Sequence, residues 1–305
     1  MHKSDAIMNV RVKVPATSAN MGPGFDCLGV ALGLYNVIDM RSGEGQTDPS
    51  LKNNLIYKAM SVVFSECGYE PGKISVYQNS CIPMTRGLGS SGACIIGGML
   101  GANVIAGKPF DYSEILNMAA KMEGHPDNVA PALYGGFCTA VLDGGRVYCT
   151  SNKIVGKIKF AAIIPDYFVA TKNSRSAVPK SFTKEDASYN IAHASMLTAA
   201  LIGGRTELLK TACRDRLHQP YRKKYIDGME EIFQRSYDFG SLATYLSGSG
   251  PTVISMIDDS CMDYMKKMSA YLNENHAGWR CRLLTIDNVG AVVSYSEKKQ
   301  KNWRF

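Results

Sequence analysis

The chain has 305 residues, enough for about two domains. Its 45% hydrophobic and 20% charged content excludes bulk disorder and supports a core without disulfides or a structural metal. The net charge of +7, from 34 Lys+Arg against 27 Asp+Glu, suits an anionic small ligand and is too weak for a nucleic-acid binder.

The nine cysteines are odd in number and scattered, with no CxxC, which argues against a disulfide framework and a zinc site. Free thiols in a reducing cytoplasm are the expectation. The start, MHKSDAIMNV, carries no signal-peptide apolar region. The longest nearly apolar stretch, 93–107, contains Asn103 and is too short to span a bilayer, so no membrane partner is expected. A basic tail of Lys298, Lys299, Lys301 and Arg304 reads as a solvated end.

In chain order, Val10, Val12 and Val14 alternate with Arg11 and Lys13 and predict a strand. A glycine-rich turn at 18–24 leads to a second strand near 28–37. Residues 53–66 read as a helix, with Leu55, Ile56, Ala59, Val62 and Val63 on one face, and 73–78 as a short strand. A glycine loop then opens an apolar helix to about 106. Asp111 can cap a helix to 122, and another starts after Pro126. A strand at 135–142 ends in the turn Asp143-Gly144-Gly145. The second half predicts a strand at 159–164 and helices at 185–202, 205–213 and 223–236. Strands at 242–247 and 252–257, a helix at 259–274, and strands at 280–286 and 290–295 follow. This order indicates an α+β fold with an antiparallel sheet covered on one face, and a boundary between units of 1–155 and 156–305.

Four segments carry chemistry. In Pro83-Met84-Thr85-Arg86-Gly87-Leu88-Gly89-Ser90-Ser91-Gly92-Ala93, glycines admit close backbone approach, and the following helix aims free N–H groups and its positive dipole end at the loop. That is an anion site, although GxxxxGK[ST] and GxGxxG are both absent. The plainer reading is a tightly packed helix entry. Glu123-Gly124-His125-Pro126-Asp127-Asn128 offers carboxylates, an imidazole and an amide to a hard cation and a polar ligand, or is helix punctuation. Ser247-Gly248-Ser249-Gly250-Pro251 is a turn that another backbone can approach, or a plain hairpin loop. Asn20 to Asp26 displays an amide and a carboxylate on a glycine turn, or is only a turn.

Together, in this order and spacing, these segments resemble the galactokinase, homoserine kinase, mevalonate kinase and phosphomevalonate kinase (GHMP kinase) superfamily. Within it the homoserine kinase family is the nearest match. VPATSANMGPGFDCLG from Val14 is similar to that family's opening signature, and EGHPDNVAPA from Glu123, followed by Gly135-Gly136-Phe137, to its middle one. The resemblance covers about 10 to 295.

The resemblance implies a two-domain GHMP kinase fold: an N-terminal domain like domain 2 of ribosomal protein S5 and a ferredoxin-like C-terminal domain, with ATP in the cleft between them. It implies ATP-dependent phosphorylation of L-homoserine, a step toward threonine, by a cytoplasmic homodimer. By the same resemblance residues 83–93 wrap the ATP phosphates, and Ser91 and Glu123 hold Mg²⁺. Asn20, Asp26, His125, Asn128, Thr171, Arg175 and Arg222 line the amino-acid site. A zwitterion needs a cation for its carboxylate and an anion for its ammonium, which Arg175 and Arg222 with Asp26 can supply. Asp127, Asn128 and Arg175 stand nearest the chemistry. Asp127 matches the base of mevalonate kinase, while homoserine kinases suggest direct attack by the substrate hydroxyl, so the base stays open. A sibling kinase for mevalonate or a sugar, and a non-catalytic binding protein on the same fold, are the competing readings. Two residues depart from the pattern. Gly92 replaces a usual Ala, and Tyr245, after Thr244, stands where some members place a substrate-contacting Thr.

Overall fold

The computed structural model describes residues 6–43, 46–261 and 263–299. The chain runs β1 (Ala6–Ala19), β2 (Leu28–Gly43), α1 (Leu55–Glu66), β3 (Lys73–Ser80), α2 (Ser90–Ile105), α3 (Tyr112–Glu123), α4 (Pro126–Tyr134), β4 (Phe137–Asp143), β5 (Arg146–Asn152) and β6 (Ile158–Ile164). It continues with α5 (Thr171–Ser176), α6 (Lys184–Gly203), α7 (Leu209–Ala212), α8 (Gln219–Arg222), α9 (Met229–Asp238), β7 (Ala243–Leu246), β8 (Val253–Asp258), α10 (Tyr264–Asn275), β9 (Arg280–Leu284) and β10 (Val292–Lys299). Lys301 and Arg304 of the basic tail lie outside the described residues.

The first sheet has six strands in the order β10-β1-β2-β4-β5, with β3 also on β2. The length of β2 explains this branching. Its first residues, Leu28–Val30, pair with β4, and its last, Asn36–Gly43, pair with β3. The alternation in β1 is real: Val10, Val12 and Val14 are buried, whereas Arg11 and Lys13 are exposed. Val10 and Val12 face Tyr295 and Val293 of β10, so the last described strand of the chain completes the sheet built by its beginning.

Helix α2 lies over this sheet and is buried on every side from Gly92 to Ile105. That is why its sequence shows no polar face. Asp111 caps α3 in a full capping box with Glu114. The Gly144-Gly145 turn, at φ +55° and +79°, joins β4 to β5, a strand the sequence reading stopped short of.

The second sheet has the order β7-β8-β6-β9, all antiparallel. With α9 after β6 and α10 after β8 it is the βαββαβ ferredoxin-like arrangement, with α5 to α8 inserted. The expected single covered face is a correction: both faces are buried. Ala161 and Ile163 pack with Ile232 and Met268 of α9 and α10. Phe160, Ala162 and Ile164 point the other way into the main core, with Leu197 and Leu201 of α6. A near-continuous apolar run is what such a strand requires. The helix expected at 223–236 is also corrected. Gly228, at φ +71°, interrupts it, leaving a short 3₁₀ turn at Lys223–Tyr225 and α9 from Met229.

Candidate active site

The phosphate-type loop ends at Gly89, which takes φ +68° and opens α2 with no side-chain cap. The first N–H groups of a 16-residue helix therefore face the loop. Gly87 explains its own identity: it has φ +74°, and a Cβ there would stand 2.3 Å from the Ser247 carbonyl oxygen. Ser247 Oγ donates to the Gly87 carbonyl at 2.5 Å. The second-half glycine turn is thus the backing of the first-half glycine loop. Arg86 stitches the same loop to the second unit, donating to the carbonyls of Pro165 (3.1 Å) and Asp166 (2.5 Å).

A cleft of about 350 Å³ opens at this junction. Of residues 83–93, those on its wall are Met84, Thr85, Arg86, Gly87, Gly89, Ser90 and Ser91; Leu88 and Ala93 are core residues. Gly92 is buried against α4, where a Cβ would lie 3.3 Å from that of Asn128. The wall also includes Asn20, Glu123, His125, Asn128, Arg175 and Arg222. Asn54, Leu55, Ile56, Gln78 and Cys94 line it too, and the sequence reading did not find them. Their local signals are ordinary. Asn54 is the N-cap of α1, accepting from Ile56 N, and Gln78 is one residue of an exposed strand.

Glu123 and Ser91 meet at the mouth of α2, where Ser91 Oγ donates to Glu123 Oε2 at 2.8 Å. Burial pushes the Glu123 carboxyl above its usual range, against the Ser91 hydrogen bond that favours its charge. Helix punctuation and chemistry coincide here. Gly124, at φ +92°, ends α3 and Pro126 begins α4, so His125 sits between two helices. His125 Nδ1 is hydrogen-bonded to Asp127 Oδ1. Burial opposes charge on His125, but the Asp127 bond wins and raises its pKa. Asp127 is buried, and its Oδ2 has no hydrogen-bond partner among the described residues. Neither it nor Asp26 is on the cleft wall. Asn128 Oδ1 accepts from Thr17 Oγ1 at 2.7 Å.

Asn20 (φ +58°) and Asp26 (φ +56°) both hold the left-handed conformation that non-glycine residues rarely adopt. Asn20 Oδ1 closes their turn by accepting from Asp26 N at 2.8 Å. Asp26 receives two hydrogen bonds from Arg175, at 2.6 and 3.1 Å. Arg222 is 1% exposed and donates to Gly248 O at 2.8 Å. Burial, with Arg175 nearby, draws its pKa down to about 10. Thr171 opens α5; the placement of its side chain lies outside what the structure describes.

Tyr245 and Thr244 do not reach the cleft. Tyr245 is buried and its hydroxyl lies 3.1 Å from Ser18 Oγ. Thr244, on the opposite face of β7, bonds Ser241 and Ser255.

Comparison with known proteins agrees with this architecture. Residues 54–136 match the family model "GHMP kinases N terminal domain" and 197–260 match "GHMP kinases C terminal". The chain is 42% identical to a homoserine kinase of Clostridium beijerinckii over 292 residues, covering 93% of this chain and 98% of that one. It is also 42% identical to a homoserine kinase of Caldicellulosiruptor saccharolyticus, with 93% and 96% covered. A crystal structure of homoserine kinase from Cytophaga hutchinsonii superposes with a TM-score of 0.83 at 24% identity, covering 96% of this chain and 99% of that one. With GHMP kinase domain matches in both halves and homoserine kinases 42% identical along nearly its whole length, the chain belongs to the homoserine kinase family of the GHMP kinases.

Proposed function

We propose that the chain transfers the γ-phosphoryl group of ATP to the side-chain hydroxyl of L-homoserine, giving ADP and O-phospho-L-homoserine, the step toward threonine. One observation carries this reading: a single cleft is lined both by the N-terminus of α2 with its glycine loop and by Asn20, Arg175 and Arg222. The first set suits an anionic donor and the second a zwitterionic acceptor.

Phosphoryl transfer needs mainly positioning and charge neutralisation. The loop amides and the α2 dipole supply both for the ATP phosphates, and Gly87 lets the backbone approach them. Ser91 and Glu123 would hold Mg²⁺. Their donors are hard oxygens, and a half-buried carboxylate whose charge is disfavoured gains from a cation. When bound, that ion neutralises phosphate oxygens. On the acceptor side, Arg175 and Arg222 bind the carboxylate, and Asp26, set behind the wall with a carboxylate oxygen within 4.8 Å of a ring nitrogen of His125, faces the ammonium, with Asn20, His125, Asn128 and Thr171 around them. Asp127 holds His125 from beneath the wall, so it acts as an assisting group, and the homoserine hydroxyl attacks without a dedicated base. Loss of all turnover in Asp127→Asn with both KM values intact would overturn that view.

The test is ADP release from Mg-ATP with L-homoserine, L-threonine, L-serine, mevalonate or galactose. Turnover on homoserine alone is expected. Turnover on another alcohol keeps the nucleotide half and discards the acceptor roles. The units 1–155 and 156–305, a cytoplasmic location and a homodimer complete the reading. The two sheets support the units, with 292–299 returning to the first. The thiol-rich composition supports the location. The dimer follows the family, and sedimentation measures it. No helix among the described residues is long and apolar enough to cross a membrane.

A further inference from the structure

Arg222 presents a problem that its place on the cleft wall does not solve. It is a buried cation, and no carboxylate lies within ion-pair distance of it among the described residues. Something other than an ion pair must aim it.

The segment Asp215-Arg216-Leu217-His218-Gln219-Pro220-Tyr221-Arg222 supplies the means. Asp215 is a wholly buried carboxylate with four donors. Its Oδ1 accepts from Leu217 N (2.8 Å) and Asn190 Nδ2 (2.8 Å). Its Oδ2 accepts from His218 N (3.0 Å) and Gln219 N (2.7 Å). This carboxylate fixes the start of α8, and the helical bond from Arg222 N to His218 O sets the two side chains on one face.

His218 Nε2 lies 2.7 Å from the Gly22 carbonyl oxygen. A carbonyl only accepts and a guanidinium only donates, so Nε2 carries the proton and Nδ1, which faces Arg222, is a bare acceptor. Arg222 Nη1 lies 3.2 Å from that Nδ1 and also donates to Gly248 O. Arg222 Nε reaches Ser174 O at 3.4 Å. Phe25 stacks on His218 and also lies beneath the Arg222 guanidinium, 5.3 Å from it. The Nε and Nη1 edge is therefore occupied by acceptors from three segments. Nη2 has no hydrogen-bond partner among the described residues and is left for the cleft.

We propose that Asp215 and His218 are positioning residues for Arg222: a carboxylate, a single imidazole tautomer and a guanidinium linked so that Nη2 is preset for the acceptor's carboxylate. This rests on the homoserine kinase reading and adds to it what makes the acceptor grip rigid. It also explains why a histidine stands here. A leucine would fill the space but leave an Arg222 N–H without its acceptor.

The experiment uses the full chain with Mg-ATP and compares L-homoserine with the amino diol in which its carboxylate is reduced to an alcohol. His218→Leu raises the homoserine KM roughly tenfold or more, with kcat within about threefold and the ATP KM unchanged. His218→Asn, which keeps an acceptor near the Nδ1 position, recovers most of that loss. On an Arg222→Ala background His218→Leu causes no further loss. With the amino diol, wild type and His218→Leu turn over alike. Losses that add to those of Arg222→Ala, or that fall equally on ATP and homoserine, overturn the proposal. Should His218→Leu fold poorly, ¹⁵N NMR of histidine-labelled wild type decides. The Nε2–H tautomer is expected for His218, and an Nδ1–H tautomer overturns the proposal. Absence of wild-type turnover on homoserine would instead sink the functional reading, and the NMR result would be unaffected.

Discussion

Asp26 and Arg175 hold one another through two hydrogen bonds, 2.6 and 3.1 Å, across 149 positions of sequence. These are the two groups expected to grip opposite ends of a zwitterion, and without one they neutralise each other. The acceptor's ammonium and carboxylate replace each partner's charge in the pair, so the site is charge-balanced both before and after the substrate enters.

Removing half of that pair tests its role. Asp26→Asn raises the homoserine KM by about 10- to 100-fold and leaves the ATP KM near wild type, in initial-rate assays varying each substrate. The pair is partly exposed, 41% and 32% for the two side chains, so its stability contribution is small, about 0–1 kcal/mol. A large fall in melting temperature would show a structural role instead.

Glu123→Gln separates stability from activity. Burial disfavours the Glu123 charge, so the neutral amide lifts that penalty and can still accept from Ser91. The expected result is a kcat lowered by about two orders of magnitude or more, with an unchanged or higher melting temperature. Retained activity with Mg²⁺ would remove Glu123 from the metal site.

Gly87→Ala probes the loop backbone. The added Cβ would meet the Ser247 carbonyl at 2.3 Å and the Gly250 carbonyl at 3.0 Å in a left-handed conformation, and both contacts are backbone. The loop must move, so the ATP KM rises about tenfold or more while the homoserine KM holds. Isothermal titration with ATP reads this directly.

Tyr245→Phe tests a chain of hydroxyls. Tyr245 Oη, Ser18 Oγ and Ser247 Oγ run in sequence to the Gly87 carbonyl. Losing the first link costs about 1 kcal/mol in chemical denaturation and weakens ATP binding several-fold. No change in acceptor kinetics is expected, because Tyr245 does not face the cleft.

His218 makes stability depend on pH. Burial, against the attraction of Asp215, lowers its pKa, so the folded chain refuses a proton that the unfolded chain accepts. Its contribution is complete above about pH 6.5 and is lost as pH falls through that value toward the lowered one. Melting temperatures between pH 7.5 and 5 should fall more steeply for wild type than for His218→Gln. Parallel curves would refute this.

Much of the architecture is written locally. Alternating valines in β1, the Asp111 capping box and the Gly124-His125-Pro126 break are each decided by residues within a few positions. The loop at 83–93 was legible for the same reason: a glycine loop entering a helix is a local object. Gly228 was a local signal too, and the sequence reading ran a helix through it. What the tertiary structure alone decided is which distant groups meet. An isolated arginine in a sequence reads as a surface residue. Arg222 is buried because His218, Gly248 and Ser174 supply acceptors from separate segments, and Arg175 faces Asp26 because α5 packs beside the first turn. The return of β10 to β1 and the cleft residues Asn54 and Gln78 belong to the same class. Hydrogen-bond caps and periodic burial act over single turns and pleats, so sequence determines them. Desolvation and charge pairing depend on what packs around a group, and that is set only when the two sheets close on one another.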